Sequence, residues 1–90
     1  MNDNFINTNY SNDAYDHLGF TPDDLVKLAK WTMPFGKYAG RALVDLPEEY
    51  LFWFQKHEFP KGELGSLMKL CLELKIEGLD SLVKPLKTSG

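Results

Sequence analysis

A short segment at residues 35–41 carries the side chains whose types and spacing are best suited to binding a ligand. It combines two glycines, one aromatic residue and two cations, namely Gly36, Gly40, Tyr38, Lys37 and Arg41. Glycines in a turn let backbone N–H groups approach an anion, and the neighbouring cations add charge attraction. The aromatic ring offers a face on which a nucleic-acid base can stack. The segment therefore predicts a site for a phosphate and a base.

The same residues also fit a purely structural interpretation. The glycines then serve a turn, Phe35 and Tyr38 pack on Trp53, and the two cations keep the surface soluble. The segment is not a Walker loop, because that motif needs Gly-Lys-Ser/Thr at the start of a helix. Both interpretations stay open at the level of the sequence.

A second, weaker cationic patch follows at residues 56–61, where Lys56 and Lys61 flank His57 and Phe59. A rigid turn between two helices explains the same residues. If the segment 35–41 folds onto the aromatic helix before this patch, the two patches adjoin. We therefore include Lys56 and Lys61 in the candidate ligand site.

The acidic, histidine and cysteine residues show no arrangement that indicates catalysis. Hydrolysis of glycosides or phosphoesters commonly needs paired carboxylates or a metal, whereas the acids here fall mainly at predicted helix starts or on solvent faces. The two histidines and the single cysteine lack the spacing of a zinc site or of a Cys–His pair. We therefore expect a protein that is not an enzyme and that has no metal or cofactor.

Composition and charge indicate one folded domain. A chain of 90 residues with 43% apolar and 13% aromatic residues is long enough for one core and too short for two. The net charge of −3 is uneven, since residues 1–24 hold five acids and no Lys or Arg, whereas residues 25–61 hold six cations against four acids. This surplus is far smaller than that of a typical basic nucleic-acid-binding domain.

The cysteine count and the start of the chain predict a cytoplasmic protein without membrane contact. Cys71 is the single cysteine, so no disulfide can form within the chain. Residues 1–15 lack the basic start and apolar run of a secretory signal. No apolar stretch is long enough to cross a bilayer.

The order of patterns predicts a mainly α fold of the α+β class, in which three to four helices pack around a central aromatic helix beside a small two-stranded β-hairpin. We expect residues 1–20 to form a mostly disordered, acidic tail rich in Asn and Asp, and residues 21–87 to form a single compact domain. Thr21 and Pro22 predict the start of the first helix. Two glycines between short apolar segments predict the hairpin, near residues 33–44.

The predicted second helix contains five consecutive apolar residues, at positions 50–54. Asp45 and Glu48 resemble a capping box at its start. Because the apolar arc is too wide for a surface helix, we expect this helix to be central, and Trp53→Ala to cost about 3–5 kcal/mol. An amphipathic third helix runs from Glu63 to a stop at Gly78, and a short last helix spans residues 80–83.

Three motifs follow one another along the chain: MPFGKYAGR at residues 33–41, DLPEEYLFWF at residues 45–54 and FPKGELG at residues 59–65. Together they resemble the small bacterial family named putative quorum-sensing-regulated virulence factor, over about residues 31–86. The Phe-Gly-Lys-Tyr-x-Gly element followed by Tyr-Leu-x-Trp is also similar to the C-terminal module of exodeoxyribonuclease X-like proteins, which implies an association with nucleic acid. Ala39 stands where a lysine is common in this turn, so one cation is missing.

Two hypotheses for function follow. The first is a noncatalytic binding module that contacts a nucleic acid, or a protein bound to one, through Gly36–Arg41 and the adjacent aromatic helix. The second is a protein-interaction or structural domain, including a homodimer, that uses exposed aromatic residues of the same helix.

Overall fold

The structure is a computed structural model that describes residues 19–88. It contains three α-helices, α1 (Pro22–Lys30), α2 (Glu48–His57) and α3 (Glu63–Ile76). Three short 3-10 helices accompany them: Leu43–Asp45 precedes α2, and Asp80–Leu82 and Lys84–Thr88 follow α3. The predicted tail lies almost entirely outside the described residues, which begin at Gly19 and the buried Phe20.

Helix α1 begins as predicted. The Thr21 hydroxyl accepts a hydrogen bond from the backbone N–H of Asp24, at 3.2 Å, and the Asp24 carboxylate accepts one from the backbone N–H of Thr21, at 3.0 Å. Pro22 occupies the first turn, where a missing N–H costs nothing. The capping box therefore fixes the start of α1, which buries Leu25, Leu28 and Ala29.

Helix α3 is the centre of the domain. It packs against α1, α2 and the 3-10 helix Leu43–Asp45. Its buried residues are Gly65, Leu67, Met68, Cys71, Leu72 and Leu74. A side chain at position 65 would overlap the carbonyl oxygen of Pro60, so only glycine lets the turn after α2 approach this closely. The amphipathic pattern from Glu63 onward thus correctly predicted a long helix.

The predicted central aromatic helix is wrong. Of the residues in α2, Leu51 alone is buried, whereas Phe52 is 42% and Trp53 54% exposed. A run of five apolar residues covers more than half of the circumference of a helix, but α2 packs on α3 along one side. The remaining aromatic rings must face outward. The large cost expected for truncating Trp53 is therefore also not supported by its position.

The predicted β-hairpin is wrong as well. Within residues 19–88 no β-strand forms, and the segment 33–44 contributes a single antiparallel bridge between Thr32 and Ala42. On one side of the bridge the ladder ends because the Met33 carbonyl accepts from the Gly40 N–H, while the Arg41 N–H donates to the carbonyl of Tyr38 within the turn. On the other side the chain enters the 3-10 helix Leu43–Asp45. The domain is therefore all-helical in its regular structure.

The segment is nevertheless closed by backbone hydrogen bonds. The Met33 N–H donates to the carbonyl of Arg41 at 2.8 Å, and the Gly40 N–H donates to the carbonyl of Met33 at 2.7 Å. Met33 itself is buried. Residues 34–40 therefore form a loop with a fixed base, which projects from the core toward α2.

Asp45 does not cap α2. The N-cap residue is Pro47, and Asp45 lies in the preceding 3-10 helix, where its carboxylate pairs with Lys87 near the end of the chain. The predicted last helix is a 3-10 helix, Asp80–Leu82. Asp80 lies 3.6 Å from the Lys75 ammonium, which also donates to the carbonyl of Val44 at 2.8 Å. These contacts tie the C-terminal turns to the centre of the fold.

The burial pattern of α2 predicts opposite outcomes for two neighbouring residues. Leu51→Ala should lower the free energy of unfolding by about 2–5 kcal/mol, because it leaves a cavity against α3. Phe52→Ala, on the solvent side, should lower it by less than about 1 kcal/mol. Urea denaturation followed by circular dichroism measures both. Equal losses would show that α2 packs differently.

The position of Cys71 predicts a protected thiol. Its Sγ lies 3.3 Å from the carbonyl oxygen of Leu43, and burial raises the pKa of the thiol to about 11. At about pH 8 the native chain should react with iodoacetamide at least about a hundredfold more slowly than the urea-unfolded chain, since few thiolates form and access is blocked. Similar rates in the two states would contradict this placement.

Candidate functional site

The loop 34–40 and one face of α2 enclose an open groove with a volume of about 590 Å³. Four residues of the loop and four residues of α2 line it: Phe35, Gly36, Lys37, Tyr38, Glu49, Tyr50, Trp53 and Phe54. We call this feature the aromatic groove. It brings three of the predicted site residues, Gly36, Lys37 and Tyr38, together with the aromatic helix.

A continuous row of rings forms the wall of the aromatic groove. Tyr38 meets Tyr50 edge-on, with ring centroids 4.7 Å apart, and Tyr50 meets Phe54 in the same way at 5.2 Å. Phe54 then contacts Trp53 at 5.1 Å, and Trp53 lies 4.1 Å from the ring of His57. Positions 50, 53, 54 and 57 share one face of a helix, so helical spacing alone aligns these rings.

The two predicted cations lie against the ring of Tyr38. The Arg41 guanidinium carbon is 4.7 Å from the ring centroid, and the Lys37 ammonium is 5.4 Å from it. Both distances are within the range of cation–π attraction. The positive charges of Lys37 and Arg41 therefore both lie around the ring of Tyr38. Its ring is half-buried, whereas that of Trp53 is the most exposed of the aromatic rings lining the groove.

Gly36 permits the close contact between the loop and α2. Its φ is +78°, and a Cβ built there would lie 3.0 Å from the Tyr50 hydroxyl. Burial raises the pKa of Tyr50, and the neighbouring Tyr38 adds to the effect. The phenol is therefore neutral at physiological pH, and its O–H is available as a donor beside the loop backbone.

The other predicted site residues lie away from the groove lining. Gly40 has a φ of +90° and closes the base of the loop. Lys56 is exposed on α2 and does not line the groove, and Lys61 lies 3.6 Å from Glu58 beyond the end of that helix. The cations of the second patch therefore lie outside the groove lining, although its His57 ring contacts Trp53 of the groove.

Glu49, Tyr50 and Phe54 line the groove but were not among the predicted site residues. Their signal in the sequence is the spacing of Glu49, Tyr50, Trp53 and Phe54, which puts all four on one face of α2. The apolar run at residues 50–54 was instead interpreted as part of the core, so this shared face was not predicted as a site. Glu49 adds a negative charge to a groove that otherwise carries Lys37.

Metal-ligating clusters and membrane-spanning helices are both absent from the described part of the chain. Residues 19–88 contain no group of three or more His, Cys, Asp or Glu side chains arranged to hold a metal ion. Over the same residues, none of the helices combines the length and apolar character needed to cross a membrane.

Comparison with known proteins identifies the family of this chain. Residues 21–86 match the family described as "Putative quorum-sensing-regulated virulence factor", and the chain belongs to that family. The predicted resemblance is therefore confirmed. The described part of this domain is helical, without the predicted β-hairpin.

Particular relatives occur in Escherichia coli. The protein named "Uncharacterized protein YpeB" of strain K12 is 59% identical over 66 residues, which cover 72% of this chain and 92% of the relative. The protein of the same name from Escherichia coli O157:H7 matches equally well. No solved structure matches the chain. The similarity to exodeoxyribonuclease X-like proteins stays a prediction.

The contact between loop and helix predicts an asymmetric effect of two glycine substitutions. Gly40→Ala should cost about 1 kcal/mol, because it strains a positive φ in open space. Gly36→Ala should cost about 1 kcal/mol more, because its Cβ also presses on the Tyr50 hydroxyl. Thermal unfolding measures both. The extra cost should vanish in a Tyr50→Phe background, and its persistence there would place the strain elsewhere.

Proposed function

We propose that this chain is a noncatalytic binding module and that the aromatic groove takes single-stranded nucleic acid. The observation that carries the proposal is the exposed ring of Trp53 in an open groove whose lining includes Lys37, with Arg41 beside the groove on the ring of Tyr38. Single-stranded nucleic acids present these two chemistries together, a flat base and a phosphate. The volume of about 590 Å³ lies in the usual range for a small-ligand site.

Trp53 is the better ring for stacking a base. It is 54% exposed, whereas Tyr38 already contacts Tyr50 with its ring and carries Arg41. The sequence favoured Tyr38 in this role. In the present proposal Tyr38 instead holds the two cations at the position where a phosphate would bind.

The electrostatic contribution to binding is small. One cation, Lys37, lines the groove together with the acid Glu49, and a second cation, Arg41, lies beside the groove on the ring of Tyr38. For a single strand each neutralised phosphate contributes a slope of about −0.7 to the salt dependence, so two contacts give about −1.4. The affinity should therefore fall about sevenfold between about 50 mM and about 200 mM salt.

Fluorescence anisotropy with a labelled single-stranded oligonucleotide tests the proposal. Lys37→Ala combined with Arg41→Ala should flatten the salt dependence, because both phosphate contacts are lost. Lys69→Ala, which removes an exposed cation of α3, is the matched control and should change little.

Trp53→Ala should weaken binding by about 1–3 kcal/mol, because a stacked base loses its ring, whereas the neighbouring change Phe52→Ala should not. Absence of binding by the parent at low salt would end the nucleic-acid proposal.

A protein-interaction domain is the second candidate, and one observation favours it. Phe35, Phe52 and Trp53 are all more than 40% exposed, which is a large aromatic surface for so small a domain. Such patches commonly mark contacts between proteins. Sedimentation equilibrium would detect a homodimer, and Trp53→Glu should then dissociate it. A parent chain that stays monomeric would exclude the homodimer.

We also propose a cytoplasmic location. The support is chemical, since the single thiol of Cys71 is buried and the chain has no second cysteine with which to form a disulfide. Domains of this size outside the cytosol commonly need disulfides for stability.

A further inference from the structure

We propose that residues 1–18 of this chain bind in its own aromatic groove and compete there with the ligand. The binding of the segment rests on the chemistry of the groove, and the competition rests additionally on the proposed function. The family match begins at residue 21, so the groove lies inside the matched domain and the segment lies outside it.

Charge complementarity carries the proposal. Residues 1–18 contain three aspartates, at positions 3, 13 and 16, and no Lys or Arg. The opposite sign surrounds the ring of Tyr38, which carries Lys37 of the groove lining and Arg41 beside it, whereas the one acid in the lining is Glu49. Carboxylates pair well with both kinds of cation. A second copy related by two-fold symmetry would instead bring the same two cations to this face.

The segment also matches the apolar part of the groove. Each of its aromatic residues has an aspartate within three positions, in the pairs Asp3 with Phe5, Tyr10 with Asp13, and Tyr15 with Asp16. One such pair supplies a ring for the exposed face of Trp53 and a carboxylate for the cations. A base and its phosphate present the same combination, so the segment and a single strand would exclude each other.

The length of the segment is sufficient. The described chain starts at Gly19, next to the buried Phe20. Tyr10 is nine residues away, which in extended form spans about 30 Å. A domain of this size has a diameter of about 30 Å, so half its circumference is about 47 Å, and the pair Asp3 and Phe5, at least about 48 Å of extended chain from Gly19, can reach any of its faces.

Tethering makes even weak binding effective. A short flexible connection gives an effective concentration on the order of 1 mM. A segment with an intrinsic Kd of about 1 mM would then fill the groove half of the time and weaken ligand binding about twofold. With a Kd of about 0.1 mM the weakening is about tenfold.

A spin label tests the docking without any ligand. Asn12→Cys in the full chain accepts the label, while the buried Cys71 is spared at neutral pH. The indole N–H signal of Trp53 should broaden more than that of Trp31, which does not line the groove. Reducing the label, or introducing Lys37→Gln with Arg41→Gln, should restore it. Equal broadening of both indoles, or broadening that survives loss of the cations, would overturn the proposal.

The same measurement distinguishes docking within one chain from exchange between chains. Spin-labelled chain is mixed with isotope-labelled chain that carries no spin label. We expect the indole signal of Trp53 in the isotope-labelled chain to keep its intensity. Broadening in this mixture would show that the segment binds a second molecule, and would contradict docking within one chain.

The competition is tested by two full-length variants that bind the oligonucleotide. One replaces the acids, as Asp3→Asn, Asp13→Asn and Asp16→Asn, and the other replaces the rings, as Phe5→Ser, Tyr10→Ser and Tyr15→Ser. Both should bind two- to tenfold more tightly than the parent. Tighter binding by the charge variant alone would indicate simple repulsion and overturn the competition. If no variant binds oligonucleotide, the proposed function fails, while the spin-label result still decides the docking.

Discussion

The attachment of the 3-10 helix Leu43–Asp45 to α3 holds the rest of the domain in place. Leu43, Val44 and the following Leu46 are fully buried. Their backbone is also bound by side chains of α3, since the carbonyl of Leu43 lies beside the Cys71 thiol and that of Val44 accepts from Lys75. The carbonyl of Leu43 also accepts from the Leu46 N–H, at 3.1 Å, so the contact with Lys75 matters more, because its loss would deprive the Val44 carbonyl of a hydrogen bond at considerable cost.

This attachment positions both walls of the aromatic groove. The loop 34–40 leaves the core at Met33 and returns at Arg41, just before the 3-10 helix, and α2 starts just after it. One anchored turn therefore sets the distance between loop and helix. Stability resides in α3 and its partners, whereas the rings of α2 that face outward are largely released from a role in the core.

The sequence predicted the parts of the fold that depend on local chemistry. The capping residues Thr21 and Asp24 specify the start of α1 wherever it packs, and the pattern from Glu63 onward specifies α3. The three loop residues of the groove, Gly36, Lys37 and Tyr38, were also predictable from local chemistry, because the glycine indicates a turn with special backbone geometry. The family was predictable as well, because three short motifs follow one another along the chain in the order that is typical of it.

Features that depend on tertiary packing were not predictable in this way. Whether Trp53 is buried or exposed depends on how many sides of α2 are covered by other helices. The local sequence around Trp53 does not contain this information. The hairpin failed because a 3-10 helix claims the residues that a second strand would need. Lys56 and Lys61 were grouped with the groove by sequence proximity, but helical geometry and Glu58 direct them elsewhere.

The contact between Gly65 and the Pro60 carbonyl has a consequence for how the domain tolerates changes in chain length. Because the connection at residues 58–62 approaches α3 here backbone to backbone, it has no spare length, and an inserted residue would drive α2 and α3 apart. The tip of the loop near Ala39 is exposed and bordered by two glycines with positive φ, so added residues can bulge into solvent there. Of the two connections flanking α2, the one that shapes the groove is thus the one that can accept an epitope or a peptide graft.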